Sequence, residues 1–304
     1  MDIKNTWPRP WTSYGRGRNK MADLIDAIIK TRETTAQIFA KSLVSLDGNT
    51  ESEIVKKFLA EVESHNELFS EGWYSPPPKG AAVLLDTKPF KRLQYDSLRK
   101  PEYWPNETSR LEKESVGMIY FSPVDRKTGM LGDIGFTIYR GENDKIKQHI
   151  KNSYAAILEI AKLASVGMKF SELCSLAGSL FDNKFKITRW VTTNSDLNQS
   201  MNLGHSVPGS FENDLPMRTT LEEIRQTIRT KRVHVIVIDT ENFEIPETCA
   251  FTIESRLEDI GDPGMPSVYF HFMVCFNKGQ KTILENFSEI FKTLGMDYMR
   301  NNNI

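Results

Sequence analysis

Four residues of this chain have the types and surroundings that divalent-metal chemistry requires: Asp133, His205, Glu254 and His271. Asp133 ends the run Lys-Thr-Gly-Met-Leu-Gly-Asp (127–133), and apolar positions alternate after it at Ile134, Phe136 and Ile138 up to Gly141. Side chains alternate along a strand, so a carboxylate at its start is poised to face a pocket. His205 follows Gly204, and His271 sits in Val-Tyr-Phe-His-Phe (268–272). Glu254 closes Phe-Thr-Ile-Glu (251–254) in an apolar stretch, where a charge is costly to bury without a partner. Imidazole and carboxylate together suit Mn²⁺, Fe²⁺ or Zn²⁺. Such an ion polarises a carbonyl and brings the pKa of bound water toward roughly 7.

The elements that must position these residues are legible in outline. Leu24, Ile25, Ile28 and Ile29 form the stripe of a helix from Met21 to about Val44. Thr50-Glu-Ser-Glu53 has capping-box spacing and opens a second helix to about Ser64. After the break at Pro76-Pro77-Pro78, a short apolar run covers Ala81–Leu85. Residues 86–116, charged and carrying Pro89, Pro101 and Pro105, read as a surface insertion. Strands are expected at Gly117–Val124 and Ile134–Tyr139, around the turn Lys127-Thr128-Gly129. Helices are expected at 144–165, Phe170–Phe185, Thr220–Arg229 and near Phe287–Leu294. Further strands fit Ile187–Val191, His234–Asp239, Cys249–Glu254, Ser267–Phe276 and Thr282–Leu284. The order suggests two successive helix–helix–strand blocks after an irregular aromatic arm at 1–20.

Bulk properties narrow the function. A chain of 304 residues with 39% apolar and 26% charged content can bury a substantial core. A formal net charge of −1 gives no nucleic-acid footprint. No apolar run approaches the roughly 18 residues of a membrane span. The three cysteines (Cys174, Cys249, Cys275) are too few and too scattered for a disulfide framework, so a cytoplasmic setting is expected. The arm's Trp7, Trp11 and Tyr14 make a homodimer worth testing.

Taken together, the motifs resemble the methionine aminopeptidase, aminopeptidase P and prolidase superfamily. Gly48-Asn-Thr-Glu51 is similar to the segment joining that family's first two helices. Lys127–Gly141 matches its Lys-x-Gly-x-x-Gly-Asp strand, and Gly204-His205 its Gly-His. Phe251–Glu254, after Pro246, matches its Phe-Thr-Ile-Glu. The resemblance covers roughly Met21 to Leu294 and implies an α+β pita-bread fold over 21–304, a curved and mainly antiparallel sheet covered by helices. It also implies a two-metal peptidase with five ligands. Carried over, these fall on Asp133, His205 and Glu254, but also on Ser122 and Phe270, which cannot serve. The family's substrate-contacting His falls on Glu212.

A two-metal centre is therefore not expected. One divalent ion on Asp133, His205 and Glu254 is. His271 would add a ligand if a bulge turns it inward, and Glu212 a general base or further ligand. The expected reaction is hydrolysis of a small peptide, amide or amino-acid-like substrate. A metal-free peptide- or protein-binding module is the alternative. A mononuclear non-haem iron oxidase or oxygenase is a third, if His271 faces inward. His65, His149 and His234 are assigned no role, and Asp125, Glu258 and Asp259 are read as surface acids.

Overall fold

The structure is a computed structural model that describes residues 17–187, 201–211, 220–230 and 234–300. Most of the aromatic arm, and Glu212, lie outside the described residues. Helix α1 (Gly17–Ser42) buries Ile25, Ile28, Ile38 and Phe39. Helix α2 (Glu51–Glu63) begins as its sequence dictates. The Thr50 hydroxyl accepts from the Glu53 N–H at 3.2 Å, and the Glu53 carboxylate accepts from the Thr50 N–H at 2.7 Å.

Strands β1 (Ala81–Asp86), β2 (Val116–Phe121) and β3 (Ile134–Tyr139) form an antiparallel sheet in that order. Every residue of β2 and β3 is buried, because α1 and α2 cover one face and later strands approach the other. Helices α3 (Asp144–Leu163) and α4 (Phe170–Phe181) follow. The helix expected to reach Phe185 stops earlier. Asn183 adopts φ 61, the left-handed region that ends helices, and Phe185–Ile187 becomes β4. Strand β5 (Asn202–His205) pairs with β6 (Ile236–Ile238) across α5 (Leu221–Thr230) in the chain.

The remaining strands are β7 (Cys249–Ile253), β8 (Arg256–Asp259), β9 (Val268–Tyr269), β10 (Phe272–Asn277) and β11 (Gln280–Leu284), before the short helix α6 (Ser288–Thr293). The single strand expected over 267–276 is interrupted at Phe270–His271. β9 joins β4 and β8, whereas β10 joins β7 and β11. Isolated bridges at Phe136–Phe270 and Ser206–Phe251 stitch the sheets together around one end. Among the described residues no helix is long and apolar enough to cross a membrane.

The segment after β1 does more than coat a surface. Phe90, Leu93, Tyr95 and Leu98 are all buried. Its anchor is Glu51, buried in the first turn of α2. The Glu51 carboxylate accepts from the Leu85 N–H (2.6 Å), the Arg92 guanidinium (2.9 Å), the Asn106 N–H (3.1 Å) and the Asn106 side-chain amide (2.7 Å). All four partners donate, so only a carboxylate satisfies them. Glu51→Gln places an NH₂ against N–H donors and leaves Arg92 without its counter-charge. The expected cost is about 3 kcal/mol in a urea unfolding experiment. A variant within about 0.5 kcal/mol of wild type would show that Glu51 does not anchor the segment.

Candidate metal centre

Backbone contacts between the sheets bring the sequence-predicted residues to one place. The Tyr269 N–H donates to the Thr137 hydroxyl at 2.7 Å, and the His271 N–H to the Gly135 carbonyl at 2.9 Å, which fixes 269–271 beside β3. On the other side the Glu254 N–H donates to the Leu203 carbonyl at 2.7 Å, and the His205 N–H to the Thr252 hydroxyl at 2.9 Å. The two motif glycines are explained by these approaches. A Cβ on Gly132 would lie 2.6 Å from the Arg32 backbone nitrogen on α1, so only glycine lets Asp133 start its strand there. Gly204 holds φ +151, and a Cβ on it would lie 2.3 Å from the Thr252 carbonyl oxygen.

All four described candidates meet. His205 Nε2 lies 3.3 Å from Glu254 Oε1 and 4.0 Å from Asp133 Oδ2, and His271 Nε2 lies 3.4 Å from Glu254 Oε2. Asp133, His205 and His271 each present one ligand atom within 4.8 Å of the others. His271 faces inward because the strand breaks beside it. Tyr269, two residues earlier, shares its face, and its hydroxyl donates to Glu254 Oε2 at 3.0 Å. Phe270 points the other way, its ring 5.0 Å from that of Tyr154 and 5.8 Å from that of Phe287. Ser122 is committed elsewhere: its hydroxyl accepts from the Tyr74 N–H at 3.0 Å and donates to the Gly80 carbonyl at 3.1 Å.

The tautomer of His205 follows from its neighbours. Its Nδ1 lies 3.0 Å from the Ser206 carbonyl oxygen, an acceptor only, so Nδ1 carries the proton and Nε2 presents a bare lone pair. That lone pair faces two carboxyl groups. Burial pushes Asp133 up to about 7, against the pull of His205 and the Trp73 indole, and pushes Glu254 up to about 7, against its bonds from Tyr269 and Thr252. Burial also lowers His205 and holds His271 and His234 well below the usual imidazole range. The Tyr120 and Tyr269 hydroxyls, driven well above the usual phenol range by burial, remain donors at neutral pH. Exposure is uneven. The side chains of Asp133 and His271 are 1% and 0% exposed, against 12% for His205 and 17% for Glu254, so solvent reaches the cluster past the latter pair.

Several residues of the site escape the sequence reading. Trp73 Nε1 donates to both oxygens of Asp133, at 2.8 and 3.1 Å, and the Tyr120 hydroxyl donates to Oδ2 at 3.3 Å. Arg32, wholly buried on α1, lies behind His271. His234, assigned no role above, packs its ring 4.5 Å from that of His205 and 6.2 Å from that of Trp73. Alternation from Ser122 points to Tyr120, and alternation from His271 to Tyr269. A charged residue four places after Ile28 on an apolar stripe points to Arg32. Trp73 carries no such signal.

No protein-family model matches the chain, and no curated protein sequence does. Solved structures do. An X-Pro aminopeptidase from Thermotoga maritima MSB8 superposes with a TM-score of 0.54 at 14% identity, over 87% of this chain and 64% of that one. A prolidase from Pyrococcus horikoshii OT3 gives 0.53 at 16%, over 85% and 61%. A proline aminopeptidase P II from Yersinia pestis gives 0.59 at 12%, over 92% and 62%. The chain thus spans less than two thirds of the length of these structures. The likeness shows the fold, and the mixed helical and antiparallel-sheet chain has the expected α+β pita-bread architecture.

The donors on Asp133 generate a test. Trp73→Phe removes an N–H bonded to a carboxylate, worth about 2 kcal/mol while that group is ionised. Asp133 loses its proton only above about 7, so the bond is at full strength above that pH and weaker below it. In chelator-treated protein the destabilisation is therefore expected to be larger at pH 8 than at pH 5.5. Equal costs at both pH values would show that Asp133 does not meet Trp73 as a carboxylate.

Proposed function

We propose that this chain is a hydrolase using one divalent metal ion, held by Asp133, His205 and Glu254, to cleave a small peptide, amide or amino-acid-like substrate. The observation that carries the reading is the convergence of acceptors: a bare imidazole nitrogen 3.3 Å from one carboxyl oxygen and 4.0 Å from another. Such a set is repulsive unless a cation or protons lie between its members. The spacing suits ligands gathered round one ion at about 2.1 Å each. The names of the solved neighbours, X-Pro aminopeptidase and prolidase, support peptide chemistry.

When bound, such an ion supplies an activated water and polarises the scissile carbonyl. The chain's own residues do the rest. Trp73 and Tyr120 hold Asp133, and Tyr269 and Thr252 hold Glu254, so both carboxylates keep their orientation. Glu254, the more accessible of the two acids, stands on the side from which water would reach the ion. Substrate enters past His205 and Glu254, where the site is open. The three free, buried cysteines support a cytoplasmic setting.

A second reading has its own observation. Trp73 and Tyr120 already satisfy Asp133, and protons on the two carboxyls could stand where the cation would. The fold would then serve as a metal-free peptide- or protein-binding module. The inward turn of His271 meets the geometric condition for iron oxidase or oxygenase chemistry, which needs it as a ligand.

Metal titration separates these readings. Wild-type protein is expected to bind about one Mn²⁺, Fe²⁺ or Zn²⁺ per chain, and His205→Ala to lose binding by more than about 100-fold. Affinity should rise by about tenfold per pH unit for each carboxyl proton displaced below 7, and level off above it, because the histidines are already neutral. Failure of the wild type to bind any of the three ions sinks the hydrolase reading. Iron binding with oxygen uptake on an amino-acid-like substrate transfers it to the oxygenase. Dipeptide cleavage that stops on chelation and returns with the ion is the expected result.

A further inference from the structure

The two imidazoles of the cluster are set to opposite tautomers by different neighbours. His205 gives its Nδ1 proton to the Ser206 carbonyl and presents a bare Nε2. His271 turns its Nδ1 the other way, toward α1, where it lies 3.3 Å from Nη1 of Arg32. That guanidinium is locked in place. Its Nη1 also donates to the Asp133 carbonyl, and its Nη2 donates to the carbonyls of His271 (2.6 Å) and Glu285 (3.1 Å). A guanidinium has donors and no acceptor, so the ring nitrogen opposite it must accept. Neutral His271 accepting at Nδ1 carries its proton on Nε2, the atom that faces Glu254.

Resting on the single-ion reading above, we infer that Arg32 fixes His271 as the Nε2–H tautomer, making His271 a positioning residue whose N–H faces Glu254 rather than a ligand of the ion. Glu254 Oε1 accepts from the Thr252 hydroxyl at 3.2 Å and faces the bare Nε2 of His205 at 3.3 Å, the side where a cation would bind. Oε2 accepts from the Tyr269 hydroxyl at 3.0 Å and lies 3.4 Å from His271 Nε2, a close contact rather than a hydrogen bond. A proton on His271 Nε2 leaves one imidazole, not two, in the ligand set. This arrangement disfavours the oxygenase reading, which requires His271 as a ligand. Arg32 also bonds the backbone of both Asp133 and His271, so one cation on α1 sets the spacing between the two strands that carry the site.

The test reads the tautomer directly. The full chain, labelled with ¹⁵N-histidine and freed of metal, is examined by long-range ¹H–¹⁵N correlation, with the two residues assigned from His271→Gln and His205→Gln. The expected pattern is Nε2–H for His271 and Nδ1–H for His205. An Nδ1–H His271 overturns the inference. Zn²⁺ is then titrated. His271→Gln, which keeps an N–H donor, is expected to bind within about 100-fold of wild type, the range for a partner of a ligand. A larger loss, matching His205→Ala, makes His271 a ligand and overturns the inference. Arg32→Lys keeps the charge without the fork and is expected to give His271 a mixture of tautomers. If it does not fold, the wild-type spectrum decides. A wild type that binds no Zn²⁺, Mn²⁺ or Fe²⁺ removes the hydrolase reading, while the metal-free spectrum still tests the role of Arg32.

Discussion

Acceptors that converge away from water need something positive between them, and much of this structure answers that need. Asp133, Glu254 and the Nε2 lone pair of His205 point at one small volume. Burial raises both carboxyls toward neutrality and keeps the imidazoles uncharged, so the cluster reduces its own repulsion by holding protons. The same features make it receptive to a divalent ion, which would displace those protons and take the place between the acceptors. Donors hold both carboxyls, Trp73 and Tyr120 on Asp133, Tyr269 and Thr252 on Glu254, and the Tyr120 and Thr252 hydroxyls reach the same oxygens that face His205. They steady the carboxylates.

Bringing these groups together requires backbones closer than side chains normally permit. Gly132 lets the turn before β3 touch α1, and Gly204 lets β5 touch Thr252. The break at Phe270–His271 does comparable work with larger residues. By ending β9 at Tyr269 and starting β10 at Phe272, the chain passes from one sheet to another at the site. Tyr269 and His271 then face the carboxylates, and Phe270 joins the aromatic core formed with Tyr154, Phe287 and Phe291.

How much was legible in the sequence depended on whether the signal was local. The Thr50–Glu53 capping box, the alternation after Asp133 and the apolar stripe of α1 act within a few residues, and each gave an element close to its observed bounds. Asp133, His205, Glu254 and His271 were legible as chemistry because a polar residue in an apolar run must find a partner. Trp73 was not legible, since its role depends on a loop crossing that brings it to a residue 60 positions away. His234 looked unremarkable in sequence because its relation to His205 arises from the pairing of β5 with β6. The insertion after β1 looked like solvated surface from its charge. Its buried members, Leu93, Tyr95 and Leu98, are spaced too irregularly to show a period.

Ser122 and Phe270, the two expected ligand positions that hold no acid, take other places in the structure. Ser122 cannot ligate where it stands, because its hydroxyl ties the Gly80 carbonyl to the Tyr74 N–H. Phe270 has joined the core. The free side of Asp133 is taken by an indole and a phenol, both donors and both uncharged. Neutral donors can balance part of a carboxylate's charge where a cation otherwise would, at lower desolvation cost than a buried ion. Donors thus crowd the buried Asp133 flank, while the His205 and Glu254 flank, with donors of its own from Thr252 and Tyr269, keeps its access to solvent.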